Sequence, residues 1–483
     1  MKKTFYITTT LPYVNAEPHV GFATEIIRAD AIARAKKLQG FEVFFNTGTD
    51  EHGQKLYEGA IKEGKDTQDY VDFYAKRFRD LTPILGISED VHFIRTTDEH
   101  HKKAAQEFWK RCDQNGYIYK KNYEAKYCVG CELEKTDSEL VDGRCPIHPG
   151  KELEIRSEEN YFFKWSAFGD KLLALYEQNP TLVVPDFRFN EIKAFVERGL
   201  QDFSISRLKS KMSWGIPVPS DEDHVMYVWF DALVNYISTL GWPESEGDAS
   251  GEFEKFWKNG TPVQYCGKDN LRQQSAMWQA MLMAAGLPPT NKIIINGFLT
   301  GEGGIKMSKS IGNVVSPYDA VEQFGTEALR YFCLAELSSF EDSPFTMERL
   351  KDSYNAKLAN GIGNLTSRIM KMAETHLPGP VDVTAQALSD EYFALFDAYD
   401  FVKLTQYIWS HVQGLDAFIQ EQKPFSVVKT DKEAGVALIQ ELVGKLYAIG
   451  LMLEPILPDT SRKIKELVKE NKMPAEPLFL RKE

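Results

Sequence analysis

The chain has 483 residues, 43% of them hydrophobic and 26% charged, which allows two to four domains with ample core and excludes a disordered chain or a fibrous repeat. Its 57 basic against 70 acidic residues leave a net charge of −13. That excludes indiscriminate nucleic-acid binding, which needs many phosphate-neutralising cations, but leaves room for a local face toward one RNA.

No apolar run approaches the ~20 residues of a membrane span. Met1-Lys2-Lys3-Thr4-Phe5-Tyr6 turns into strand-like alternation where a signal peptide needs a longer apolar stretch, so a cytoplasmic protein is expected. Phe5 to Thr10 predicts a strand and Leu11 to Gly21 a loop. Phe22 to Leu38 predicts a helix, with Ile26, Ile27, Ala31 and Ala35 on one stripe and Gly40 as its stop. Val43-Phe44-Phe45 then predicts a buried parallel strand, completing one βαβ unit.

Cysteines cluster next. Cys128-x2-Cys131-x13-Cys145-x2-His148 sets four soft or borderline ligands on two short turns, with Gly130, Gly143 and Gly150 suited to tight bends. This spacing encloses tetrahedral zinc, and four protein ligands leave no open position, so the site reads as structural. Cys112, Cys266 and Cys333 are scattered.

A second α/β stretch follows about a hundred residues later. Met226 to Trp229, Pro262 to Cys266 and Ile293 to Ile295 predict strands; Ala232 to Leu240 and Gln273 to Ala285 predict helices. Two α/β halves around an insert imply a parallel Rossmann-type sheet, with residues 1–115 and 223–325 as its halves and 116–222 as a zinc-containing insertion, the knuckle at about 126–150. Residues 326–354 read as a connection and 355–483 as an all-α domain, with helices over Leu329 to Leu334, Arg349 to Met372, Asp390 to Gln422 and Ala434 to Leu453.

Two loops carry phosphate chemistry. Pro18-His19-Val20-Gly21 precedes a helix N-terminus, which favours phosphate; His19 can donate to it and Gly21 allows close approach. Lys306-Met307-Ser308-Lys309-Ser310 follows the glycine-rich run Gly301 to Gly304, so two lysines can swing onto a triphosphate. Each alone reads as an ordinary loop; the pair, in this order on opposite sheet halves, does not.

With these motifs the chain resembles the methionyl-tRNA synthetase family of class I, nearly end to end. The blocks are Leu11-Pro12-Tyr13-Val14-Asn15, Gly48-Thr49-Asp50-Glu51-His52-Gly53, the Cys/His knuckle, Ser204-Ile205-Ser206-Arg207, Trp214 to Pro219, Tyr227 to Ala232, Gly267-Lys268-Asp269 and the lysine loop. The resemblance implies methionine activation by ATP with Mg²⁺, transfer to tRNA, and a structural Zn²⁺. It assigns Leu11, Tyr13, Trp229, Ala232 and Tyr236 to the wall around the methionine side chain, Asn270 and Gln274 to the same pocket, and Asp50 to the ammonium. Asn15, His19, Gly21, Asp269, Lys306 and Lys309 fall to ATP, with His19, both lysines and Arg207 near the reacting groups. Asn364, Arg368 and Phe425 fall to the anticodon.

The chain departs from the family pattern where Phe22 replaces a second histidine, where Asn270 and Gln274 replace isoleucine and histidine, and where Phe425 replaces tryptophan. These departures motivate an alternative: a non-charging paralogue acting as an RNA-binding or regulatory protein. The insert is too small for the editing domain of valyl, isoleucyl and leucyl enzymes, and cysteinyl enzymes place zinc in the amino-acid pocket. No appended tRNA-binding barrel is present in the sequence, so a monomer is expected.

Overall fold

The computed structural model describes residues 3–135, 139–305, 307 and 314–483. Lys306 and Lys309 lie outside the described residues. The chain divides into two compact units: Met1–Glu17, Val43–Asp80 and Asp90–Ile295 form the first, and Pro18–Glu42, Leu81–Glu89 and Asn296–Glu483 the second.

The first unit is built on a six-stranded sheet. Its strands are β1 (Thr4–Thr9), β2 (Glu42–Thr49), β3 (His92–Arg95), β4 (Val183–Val184), β5 (Thr261–Gly267) and β6 (Lys292–Asn296), in the order β3-β2-β1-β5-β6-β4. The pairings β1–β5, β2–β3 and β6–β4 are all parallel. Phe5, Tyr6, Ile7, Thr8 and Thr9 are buried in succession on β1, as a strand covered on both faces requires. Two differences from the sequence reading concern this sheet. Its edge strand β4 comes from within the inserted segment. The apolar run at Met226–Trp229 does not join it: Asp221–Met226 pairs antiparallel with Ser206–Leu208, and Val228–Ala232 is a short helix. A short apolar run buried on all sides reads the same as strand or helix, so periodicity could not separate them.

The insert carries a four-stranded antiparallel sheet, ordered Leu133–Lys135, Ile118–Cys128, Glu154–Phe163, Phe203–Ser204. The long Ile118–Cys128 and Leu133–Lys135 strands lead into and out of the first two cysteines.

The second unit is mainly helical. Helix α1 (Val20–Leu38) is buried on nearly every face, including the charged Arg28 and Asp30. Its partners are α2 (Thr326–Ala335) and the segments that follow. Arg330 of α2, fully buried, donates to Asp30 Oδ2 at 2.8 Å, to Ile456 O at 3.0 Å, and to Leu85 O and Pro455 O, each at 3.1 Å. Arg28 in turn donates to the carbonyls of Cys333 and Leu337 at 3.1 and 2.8 Å. The C-terminal helices include α3 (Asn364–His376), α4 (Phe401–Gln422), α5 (Pro424–Thr430), α6 (Lys432–Leu453) and α7 (Pro458–Glu470). The expected Asp390–Gln422 helix is broken, with Asp390–Asp397 a separate helix and Tyr399 in a left-handed turn (φ +57) before α4. The expected Arg349–Met372 helix is interrupted: Tyr354–Gly363 runs in wide turns with a non-helical Gly361 (φ −88, ψ −109), so α3 starts afresh at Asn364. Helix α6 is long and apolar enough to cross a membrane, but one face of it, with Ile439, Leu442, Val443, Leu446, Ile449, Met452 and Leu453, is buried against α3, α4, α5 and α7 as the core helix of this unit.

Candidate active site and metal knuckle

The knuckle closes as its spacing requires. The ligand atoms of Cys128, Cys131, Cys145 and His148 all lie within 4.8 Å of one another. Cys131 Sγ is 3.2 Å from His148 Nδ1 and 3.4 Å from Cys145 Sγ, and Cys128 Sγ is 3.8 Å from the same imidazole nitrogen. Metal bonds of about 2.0–2.3 Å arranged tetrahedrally put ligand atoms roughly 3.3–3.8 Å apart, so this donor set fits Zn²⁺.

Next to the knuckle, in the same unit, lies a group of acids around Asp50. Asp50 follows β2, at the C-terminal end of a parallel strand where open α/β sheets place their ligands. Its backbone pairs with the Pro12–Val14 loop: Asp50 N–H donates to Pro12 O at 3.0 Å, and Val14 N–H to Asp50 O at 3.3 Å. Tyr13 and Asp50 are thus side by side. The Asp50 carboxylate is buried, and its Oδ1 has no hydrogen-bond partner among the described residues. Burial, then the nearby Asp231 and Glu132, push its pKa well above the usual carboxylate range.

The surrounding acids, by contrast, have partners. Arg95 meets Glu51 through two hydrogen bonds of 2.7 Å. Asp231, fully buried, is held between His52 Nδ1 at 2.6 Å and His101 Nε2 at 2.8 Å; burial would raise its pKa, but the two imidazoles bring it below the usual value. Glu132 accepts from the Tyr13 hydroxyl at 3.1 Å and from Lys55 N–H at 3.3 Å. Sequence reasoning missed Glu132, His52, His101 and Asp231. Asp231 sat inside a recognised block, whereas nothing but adjacency to Cys131 marked Glu132.

The apolar wall comes from neighbouring elements of this unit. Leu11 and Ala232 are buried at 8% and 6% exposure, and Trp229 is half-buried with no partner for its indole Nε1 among the described residues. Tyr236 is buried, and its hydroxyl accepts from Gln274 Nε2 at 2.6 Å. Gln274 is itself fully buried and oriented by a chain of amides. Thr290 N–H donates to Gln279 Oε1, Gln279 Nε2 to the Thr290 hydroxyl, that hydroxyl to Gln264 Oε1, and Gln264 Nε2 to Gln274 Oε1. One backbone N–H therefore fixes which end of each amide points where, and the departure at Gln274 is fully satisfied. Asn270 lies in the turn after β5 and donates to Asp269 Oδ1 at 3.2 Å. Arg207 is buried, donating to Ser204 Oγ and Ser206 O at 2.8 and 2.7 Å while its guanidinium lies over the Tyr227 ring at 4.7 Å and the Tyr127 ring at 5.1 Å. Its contacts are those of a stacked, anchored side chain. Asn15 is exposed in the loop after β1.

In the second unit, His19 caps α1. Its Nδ1 accepts from Gly21 N–H at 3.0 Å, which puts the neutral ring's proton on Nε2, the donor form a phosphate requires. A Cβ on Gly21 would sit 2.6 Å from the His19 ring, so the cap needs glycine there. Phe22 is buried in the first turn. Asn364 and Arg368 share one face of α3 as expected, with Asn364 exposed and Arg368 paired to Asp416 of α4. Phe425 is 46% exposed on α5, immediately after Pro424.

Comparison with known proteins decides the family. The model for class I tRNA synthetases (M) matches residues 5–152 and 139–370. A methionine–tRNA ligase of Caldanaerobacter subterraneus is 41% identical over 481 residues, 96% of this chain and 74% of that protein. The chain belongs to the methionyl-tRNA synthetase family. A family member from Nostoc is 39% identical, covering 96% of this chain and 89% of its own. The methionyl-tRNA synthetase of Mycobacterium tuberculosis, solved in complex with methionyl-adenylate, superposes with a TM-score of 0.89 at 34% identity, over 99% of this chain and 100% of that one. The same synthetase in its free state gives 0.84.

Proposed function

We propose that this chain is a methionine–tRNA ligase: it joins L-methionine to its tRNA through a methionyl-adenylate, releasing pyrophosphate and then AMP. The observation that carries this reading is Asp50, a buried carboxylate with one oxygen unpartnered among the described residues, beside an aromatic wall. Such a group is stabilised by a cation that the substrate brings, and the α-ammonium of an amino acid is that cation. Leu11, Tyr13, Trp229, Ala232 and Tyr236 would surround the side chain, with Asn270 and Gln274 at its margin. Rings and a leucine suit a thioether, which is polarizable and apolar.

The methionine carboxylate attacks the α-phosphorus of ATP in line; the bond to the β,γ-phosphates breaks and pyrophosphate leaves. The terminal ribose hydroxyl of the tRNA then attacks the adenylate carbonyl. No protein nucleophile takes part, so the chain's residues position the reactants and stabilise charge. In this reading Asn15, Gly21 and Asp269 hold the nucleotide with its Mg²⁺, while His19, Lys306 and Lys309 meet the phosphates. Arg207, anchored by Ser204, Ser206 and the Tyr127 and Tyr227 rings, acts near the reacting groups in this reading. The four-ligand knuckle holds a structural Zn²⁺, which supplies a rigid cross-link and no open coordination position. Asn364, Arg368 and the exposed Phe425 meet the anticodon, the first two by hydrogen bonds to base edges and the ring by stacking. A cytoplasmic monomer completes the proposal.

ATP–pyrophosphate exchange measured across the amino acids, followed by charging of unfractionated tRNA, tests the whole reading. Exchange with methionine well above all other amino acids, and methionine transferred to tRNA, is expected. Exchange without transfer would replace it by the non-charging alternative, and exchange with a different amino acid would overturn the substrate.

A further inference from the structure

The knuckle and the Tyr13–Asp50 segment are far apart in sequence, yet one residue joins them. Glu132 follows Cys131 directly and has φ = +51, a left-handed conformation that costs a side-chain-bearing residue free energy. That conformation turns both of its acceptors toward the pocket. The main-chain oxygen accepts from the Tyr227 hydroxyl, and the carboxylate Oε1 accepts from the Tyr13 hydroxyl at 3.1 Å and Lys55 N–H at 3.3 Å. Lys55 returns the contact, donating from Nζ to Gly130 O at 2.7 Å while standing 5.7 Å from the centre of the Tyr13 ring.

Gly53 closes the arrangement. It has φ = +114, and a Cβ there would lie 2.2 Å from the Tyr13 hydroxyl and 3.4 Å from Glu132 Oε2. Tyr13 is therefore held by the turn that follows Asp50 and by the segment that follows a metal ligand. Glu132 is bonded directly to Cys131, so the contacts of its carboxylate tie both the tyrosine and the turn to the knuckle.

We infer that Glu132 is a positioning residue through which the metal knuckle sets the methionine site. The inference rests on the functional reading above, because Tyr13 and Asp50 are assigned to methionine there. Glu132 touches no reacting atom; it fixes the hydroxyl end of Tyr13 and the backbone at Lys55. Its loss should raise the methionine concentration required and leave turnover at saturation nearly unchanged, since a slack wall weakens ground state and transition state alike.

The experiment compares Glu132→Ala and Glu132→Gln with the wild type, each with its zinc content measured. Equilibrium dialysis reads methionine binding without ATP, and ATP–pyrophosphate exchange reads KM and kcat. Glu132→Ala is expected to keep one zinc per chain, raise methionine Kd and KM about tenfold, and hold kcat within about twofold. Glu132→Gln keeps an oxygen that can accept from Tyr13 and Lys55, and should recover most of the loss. Removing zinc from the wild type with a chelator should weaken methionine binding as Glu132→Ala does, and should add little in that variant.

Unchanged methionine binding in Glu132→Ala would overturn the inference, as would metal-free wild type binding methionine at full strength. Equal damage in both variants, with zinc lost, would assign Glu132 to the fold of the knuckle alone and overturn it too. Wild-type protein that neither binds nor activates methionine is the separate outcome that takes down the functional reading, and this inference with it.

Discussion

Asp30 and Asp50 are both buried carboxylates, one in each unit, and their surroundings are opposite. Asp30 on α1 receives four donors: Ser88 N–H at 2.9 Å and Ser88 Oγ at 2.6 Å on one oxygen, Arg34 Nε and Arg330, each at 2.8 Å, on the other. Burial alone would raise its pKa, but Arg330 and Arg34 pull it below the usual range. Asp50 sits among acids, has one oxygen without a partner among the described residues, and titrates well above that range. A buried acid whose counter-charges come from the chain itself fastens elements together. One whose neighbours are acids, and whose oxygen is bare, is held ready for a cation from outside.

Replacing each acid by its amide should have opposite consequences. Asp50→Asn should lower methionine-dependent exchange about a thousandfold, roughly 4 kcal/mol, because the substrate ammonium would then be buried without its partner. Its melting temperature should hold or rise, since an uncompensated carboxylate has been removed. Asp30→Asn should do the reverse. It leaves the fully buried Arg330 short of its charge partner, and a loss of about 3 kcal/mol in denaturant unfolding is expected. A stable Asp30→Asn protein, or an Asp50→Asn protein that unfolds easily and still activates methionine, would show the two roles to be exchanged.

Titration sharpens the same contrast. Asp30 has a depressed pKa, so its contribution to stability is present above the unfolded value of about 4 and fades as pH falls through the folded value. Asp50 has a raised pKa. Between about 4 and its folded value, the native state holds a proton that the unfolded chain has released, so its contribution to stability declines as pH rises through that window. The charged groups around it are Glu51 with Arg95, Asp231 with His52 and His101, and Glu132 with Lys55. An ammonium needs the ionised acid, so methionine binding should expel this proton. Below the folded pKa of Asp50, methionine affinity should tighten up to about tenfold per pH unit. A flat profile from pH 5 to 8 would mean that Asp50 is already ionised without substrate.

What was legible in the sequence follows from how local each signal is. The metal set could be read because its ligands recur in short turns, β1 because its start alternates like a strand, and β2 because Val43-Phe44-Phe45 is a short continuous apolar run. The small β4 was not legible: two valines carry no pattern, and only pairing with β6 makes them a strand. Glu132 was hidden for a different reason. Its role depends on a left-handed backbone and on Tyr13, more than a hundred residues away, neither of which a glutamate in the sequence announces. Nothing in the sequence marks Asp30 and Arg330 as a pair, although both are fully buried. Their burial is a tertiary fact, set by the two segments, around Leu85 and Pro455, whose carbonyls need the guanidinium.

The smallest expected effect concerns Phe22, where the family pattern has a second histidine. Reading the sequence alone, compensation for a lost phosphate donor falls to the α1 N-terminal amides, His19 and the two lysines. The structure narrows that list, because Val20 N–H already donates to Val315 O at 3.2 Å and Gly21 N–H to His19 Nδ1 at 3.0 Å. His19 and the two lysines stay on the list, with Lys306 and Lys309 outside the described residues. Phe22 is 8% exposed, so its ring packs into the second unit, and an imidazole there would bury a polar ring in place of an apolar one. Phe22→His should therefore cost about 1–2 kcal/mol in stability. Its effect on adenylate formation by the folded enzyme should stay under about tenfold, or 1.4 kcal/mol. His19→Ala is the contrasting variant, since it removes both the cap that orders the first turn and the donor that cap presents. A Phe22→His enzyme faster by orders of magnitude would show that a phosphate donor is missing from this chain, and that the burial of Phe22 was kept at the expense of catalysis.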